Sequence, residues 1–127
     1  MKTTIENKHG EPVIMDATAL TPIAFKHTFG ADMLKDLNAI RKGDADETTL
    51  LELAGKMAFI MTATAENEKD FKKVMSLTLD DYYEFLNSFS SDYFQRGDVQ
   101  FLIYGTWFNN AETIDKAKNL TSPPNVN

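Results

Sequence analysis

The sequence predicts a mainly α-helical protein, a compact bundle of about five short helices with a small N-terminal β-hairpin. Apolar residues recur at helical spacing in five segments, a helix-capping residue stands near the start of each, and only the first residues of the chain favour a hairpin. With 127 residues, the chain has the size of one domain with one core. We expect this domain over residues 1–118 and a short, proline-containing flexible tail over 119–127.

The N-terminal hairpin is expected over residues 2–15. A short polar and β-branched run precedes the turn-forming residues 7–10, and an apolar run follows them. Gly10 can adopt the positive φ that a tight reversal needs. Pro12 cannot donate a ladder hydrogen bond, so its strand belongs at the edge of a sheet.

The first helix is expected over residues 18–29. Thr21 is a candidate cap, and Pro22 suits the first helical turn, where its missing N–H costs nothing. The same stretch also alternates as a strand would, at Ile23, Phe25, His27 and Phe29. The cap and the proline favour the helix.

A second helix is expected over residues 31–41, directly after Gly30. Glycine commonly ends a helix, and Asp32 stands where an acidic residue stabilises the start of the next one. We expect the buried stripe of this helix to consist of Met33, Leu34, Leu37 and Ile40. Gly43 ends the run.

The third helix, expected over residues 47–65, is the most apolar of the set. Asp46 or Thr48 can cap it, and both sides of the helix carry large apolar residues. Such a helix is either central to the core or partly at an interface with a partner. The charged stretch 66–76 that follows is expected to be a loop with one helical turn.

Two further helices are expected over residues 78–89 and 98–109, with Thr78 and Asp98 as their caps. The uninterrupted Phe-Leu-Ile-Tyr at 101–104 could also form a buried strand. No partner strand of comparable strength occurs elsewhere in the sequence, so we favour a helix there.

The charge and hydropathy of the chain argue against two kinds of partner, nucleic acids and membranes. A net charge of −6 repels phosphate backbones, so we expect no nucleic-acid binding. No apolar run approaches the ~20 residues of a membrane helix, and the start of the chain lacks a signal-peptide pattern. We therefore expect no membrane contact and a cytoplasmic location.

The sequence offers no recognisable reaction centre, and we expect neither catalysis nor a metal or cofactor. It contains no cysteine, and its two histidines lie outside any metal-binding pattern. The acidic residues 44–47 begin like a calcium loop, but Thr49 and Gly55 occupy its glycine and glutamate positions. The carboxylates at Asp80, Asp81 and Glu84 suit the start of a helix. An apolar pocket that held one of them at a raised pKa would instead indicate a small enzyme.

Aromatic side chains and methionines are the more informative group. The chain has nine phenylalanines, four tyrosines, one tryptophan and six methionines. Most apolar residues at helical spacing are core residues, but aromatics and methionines are also enriched at protein interfaces. We name as candidate partner-contact residues Phe59, Met61, Tyr82, Tyr93 and Tyr104.

The order of several short motifs resembles that of a known family. These motifs are Thr21-Pro22-Ile23, Phe25-Lys26, Phe29-Gly30, Asp32, Leu34-Lys35-Asp36-Leu37, and later Leu50 to Ala65, Tyr83-x-Phe85-Leu86-x-x-Phe89 and Trp107. Across about residues 12–110 the chain is similar to the tail assembly chaperones of long-tailed phages and prophages of Gram-positive bacteria. In that family Tyr-Arg is common where this chain has Phe25-Lys26.

The resemblance implies a function without catalysis. Chaperones of this family bind the long tape measure protein, keep it soluble and help to recruit tail tube subunits during tail morphogenesis. It also implies absence from the mature virion, and we expect self-association and location in the cytoplasm of the bacterial host. The alternative is a small acidic adaptor or inhibitor of a phage or bacterium that acts by binding another protein.

Overall fold

The computed structural model describes the backbone of residues 2–119 and the side chains of residues 2–109. The chain begins with an antiparallel hairpin of β1, Lys2–Glu6, and β2, Pro12–Asp16. Gly10 in its turn has a φ of 77°, as expected for a tight reversal. The register pairs Ile5 with Val13 and Thr3 with Met15 on the face that packs inward.

Six α-helices follow within the described residues: α1 Thr21–Phe29, α2 Met33–Arg41, α3 Glu47–Glu66, α4 Phe71–Val74, α5 Leu79–Asn87 and α6 Gly97–Asn119. A 3-10 helix, Tyr93–Gln95, connects α5 to α6. The prediction of a mainly α-helical protein with an N-terminal hairpin is therefore confirmed. The structure has one helix more than the five predicted. This additional helix is α4, the single helical turn expected within the charged stretch 66–76.

The last helix differs from its predicted bounds. We expected it to end at residue 109, whereas α6 continues to Asn119. Of the predicted tail at 119–127, residues 120–127 lie outside the part of the chain that the structure describes. Residues 101–104 lie in α6, so the alternative of a buried strand there is wrong.

The predicted caps Asp46 of α3 and Thr78 of α5 are confirmed, and Asp32, predicted as an acidic residue that favours the start of α2, is the cap of that helix. The Asp32 carboxylate accepts hydrogen bonds from the backbone N–H groups of Leu34 and Lys35 at 3.0 and 3.2 Å. Asp46, and not Thr48, caps α3 by accepting from the Thr49 N–H at 2.8 Å. This hydrogen bond holds the pKa of the Asp46 carboxyl below its usual range.

The predicted cap at Thr21 is wrong. Helix α1 has Leu20 at its N-cap, without a side-chain hydrogen bond, while Pro22 lies in the first turn as expected. The Thr21 side chain is buried and accepts a hydrogen bond from the Thr18 N–H at 3.0 Å. The threonine thus stabilises the approach to α1 from inside the helix.

Asp98 was predicted to cap the last helix, and this prediction is also wrong. It lies inside the first turn of α6, which begins one residue earlier, at Gly97. Its carboxylate pairs with the Arg96 guanidinium at 2.6 Å. Both side chains are exposed, so this ion pair adds little to stability.

Helix α3 is the centre of the structure. It packs against β2, the other five helices and the 3-10 helix. Every residue of α3 from Met57 to Thr64 is buried, on all sides of the helix. Of the two alternatives for this apolar helix, the structure therefore selects the core.

Candidate functional site

The five predicted partner-contact residues lie in the interior. None of the five is more than 8% exposed: Phe59, Met61, Tyr82, Tyr93 and Tyr104. The Tyr104 hydroxyl donates to the Leu50 carbonyl, and the Tyr93 hydroxyl accepts from the Glu6 N–H at 2.9 Å. In this conformation the five residues hold elements of the chain together, and the outward apolar surface lies elsewhere.

Most of these rings belong to one aromatic cluster between α1, α3, α5 and the 3-10 helix. Neighbouring ring centroids in it lie 4.9 to 6.2 Å apart. Its members are Phe25, Phe29, Phe59, Tyr82, Tyr83, Phe85, Phe89, Tyr93 and Phe94. Burial raises the pKa of Tyr82 to about 12, because the phenolate would lose its hydration there.

Large apolar side chains also remain on the surface of the described residues. Phe101 on α6 is 82% exposed, and Phe71 on α4 is 63% exposed. The others more than one-third exposed are Ile14, Ile23, Leu34, Leu79, Tyr83 and Leu102. They are spread over β2 and five of the helices. The predicted place of Leu34 in the buried stripe of α2 is therefore wrong.

A groove of about 510 Å³ lies between α3 and α5, and residues of α4 and of the α4–α5 connection also line it. We call it the α3–α5 groove. Its apolar lining comes from Phe59 and Ala63 of α3, Phe85 of α5 and Leu77 of the connection. Phe59 and Phe85 contact each other, with ring centroids 5.5 Å apart, so the lining is continuous across the two helices.

Charged side chains surround the α3–α5 groove. Three carboxylates, Glu66, Asp81 and Glu84, line it together with one ammonium group, that of Lys73. All four residues are exposed. Asp81 also accepts a hydrogen bond from the Thr78 N–H at 2.9 Å, as part of the α5 capping box. The rim of the groove is therefore acidic.

Thr62 gives the groove an unusual polar group. Its residue is only 5% exposed, it lines the groove, and its hydroxyl makes no hydrogen bond within the described part of the chain. The neighbouring Thr64 behaves as threonine in a helix usually does and donates to the Ile60 carbonyl at 2.8 Å. Buried hydroxyls are rarely left without a partner.

The groove was not predicted as a site, because its residues are far apart in sequence. One signal was present: Thr62 interrupts the apolar run of α3 with a polar side chain. The carboxylates considered for a small enzyme, at Asp80, Asp81 and Glu84, are all exposed, so none of them is enclosed in an apolar pocket. His9 and His27 are exposed as well.

In comparisons with known proteins, no protein-family model, no curated protein and no solved structure matches the chain. Within residues 2–119, no helix combines the length and apolar character needed to cross a membrane. Among the described side chains, those of residues 2–109, no three His, Asp or Glu residues are grouped so that they could hold a metal ion.

Proposed function

We propose that this protein is a phage tail assembly chaperone, which binds the tape measure protein and keeps it soluble without catalysing a reaction. The observation that carries the proposal is the surplus of apolar side chains on a protein whose core is already closed. Eight large hydrophobic residues of the described part are exposed, while α3 is buried on all sides from Met57 to Thr64. Phe101 and Leu102 adjoin on α6, and a contiguous exposed apolar patch is typical of surfaces that bind other proteins.

The charge of the chain supports the same function. A protein that covers the apolar surface of another chain must keep the complex in solution, and a net charge of −6 opposes further association of such complexes. Help in recruiting tail tube subunits, location in the bacterial cytoplasm and absence from the mature virion belong to the same proposal.

Self-association is also part of the proposal. The side chains best placed for it are Phe101 and Leu102, which stand next to each other on the outer side of α6. Burying two such side chains between copies of the chain would favour a weak, concentration-dependent association.

Co-expression with a tape measure protein tests the function. We expect the tape measure protein to be recovered in the soluble fraction and to co-purify with this chain, whereas alone it is recovered in the pellet. An unchanged soluble fraction, with no co-purification, would contradict the proposal. An unrelated acidic protein of similar size, expressed at the same level, controls for a general effect of co-expression.

A further inference from the structure

We propose that the α3–α5 groove is the part of this protein that holds its client, and that it binds an amphipathic helical segment carrying Lys or Arg beside its apolar side chains. The inference rests on the proposed function for the identity of the client, the tape measure protein. The chemistry of the segment follows from the groove itself.

The lining of the groove selects apolar side chains. Phe59, Ala63, Leu77 and Phe85 give it an apolar floor, and a volume of about 510 Å³ admits several side chains but not a whole helix. A helix can present side chains of this kind in a row, because residues three and four apart share one face. An amphipathic helix lying along the groove therefore fits it.

The rim selects the charge of the segment. Glu66 ends α3 and Glu84 lies on α5, so carboxylates stand on both helices that form the groove. Asp81 adds a third carboxylate, and Lys73 is the only cationic residue in the lining. Such a rim attracts Lys and Arg and repels acidic segments, and it gives more to specificity and association rate than to affinity.

Synthetic peptides test the charge selection directly. Two amphipathic helical peptides would share the same apolar face, one with Lys and the other with Glu on the flanking positions. Binding to the full-length protein would be measured by fluorescence anisotropy. We expect the Lys peptide to bind at least about tenfold more tightly than the Glu peptide, which corresponds to about 1.4 kcal/mol. Equal affinities would overturn the inference.

A matched pair of variants separates the groove from the overall charge. The double variant Glu66→Lys/Glu84→Lys changes the rim, whereas Glu11→Lys/Asp44→Lys makes the same change in net charge at exposed positions outside the groove. We expect the rim variant to bind the Lys peptide at least about fivefold more weakly than the control variant, since each rim pair contributes modestly. Equal binding by the two variants would overturn the inference.

The same variants distinguish this inference from the proposed function. If the rim variant fails to keep the tape measure protein soluble and the control variant succeeds, both proposals are supported. If the two variants keep it equally soluble, the groove inference is wrong and the chaperone function stands. If the unmodified protein itself fails to do so, the proposed function is wrong whatever the peptides show.

Discussion

Gly55 and Gly105 both lie inside helices, but an added methyl group would meet different surroundings at the two positions. A Cβ atom at Gly55 would lie 3.2 Å from the Tyr82 hydroxyl and 3.3 Å from Leu86 Cδ2, so the glycine allows α5 to approach α3 closely. At Gly105 the nearest atom would be Asn109 Nδ2, at 3.9 Å, which is an ordinary contact.

Alanine at these two glycines should therefore have unequal effects. In both helices alanine restricts the unfolded chain, and at Gly105 we expect a rise in the free energy of unfolding of about 0.5–1 kcal/mol. At Gly55 the same gain is offset because Tyr82 and Leu86 must move. Urea denaturation of Gly105→Ala and Gly55→Ala measures the difference. A Gly55→Ala variant at least as stable as Gly105→Ala would contradict this account of the α3–α5 contact.

Because of Tyr82, the free energy of unfolding should fall at high pH. Burial raises its pKa to about 12, and an unfolded tyrosine ionises near pH 10. Because the folded-state pKa is the higher one, the stabilisation is present below pH 10 and is lost as the pH rises from 10 to 12. The loss amounts to at most about 3 kcal/mol, and the buried Tyr104, whose pKa is also raised by burial, adds to it.

Denaturation curves at several pH values between 8 and 11 test this dependence. We expect Tyr82→Phe to lose less stability over that range than the unmodified protein. The matched control is Tyr83→Phe, at the neighbouring position, where the residue is 57% exposed. If Tyr82→Phe and Tyr83→Phe show the same pH dependence, burial of the Tyr82 phenol is not its cause.

At the scale of elements, helix starts were predictable because a cap involves residues only two or three positions apart. Asp32 and Thr78 were identified from sequence alone, and both accept hydrogen bonds from the first turns of their helices. Thr21 was misassigned for a reason that is not visible in the sequence. It lies inside α1, and its hydroxyl is engaged by the Thr18 N–H.

The capping box of α5 gives a prediction at this scale. The Thr78 hydroxyl accepts from the Asp81 N–H at 3.2 Å, and Asp81 returns the interaction to the Thr78 N–H. Thr78→Ala should lower the free energy of unfolding by about 1 kcal/mol. Thr48→Ala, in the first turn of α3 where Asp46 is the cap, should cost much less. Equal losses in urea denaturation would show that the box does not stabilise α5.

At the scale of the molecule, the sequence predicted the apolar residues but not what covers them. Phe59 and Met61 were proposed as contact residues because α3 is apolar on both sides, and the structure covers one side with the hairpin and the other with α5. The α3–α5 groove could not be predicted, since Thr62, Lys73 and Glu84 meet only after α5 folds back onto α3.

The exposed apolar residues of α6 give a prediction about assembly. Phe101 is 82% exposed, so Phe101→Ser should change the stability of the monomer by no more than about 0.5 kcal/mol. We expect it to lower the mean mass measured by light scattering at high protein concentration. The control is Lys35→Ser, an exposed change on α2. Identical masses for all three proteins at every concentration would exclude α6 as the surface of self-association.

The central claim, that the outward apolar surface of this protein covers another polypeptide, is tested most directly by aggregation of the tape measure protein. The purified tape measure protein would be diluted from denaturant into buffer containing increasing amounts of this chain, and the light scattering recorded. We predict that scattering falls and reaches a minimum at a defined ratio of the two chains. Scattering that stays unchanged at a large excess of this protein would contradict the claim.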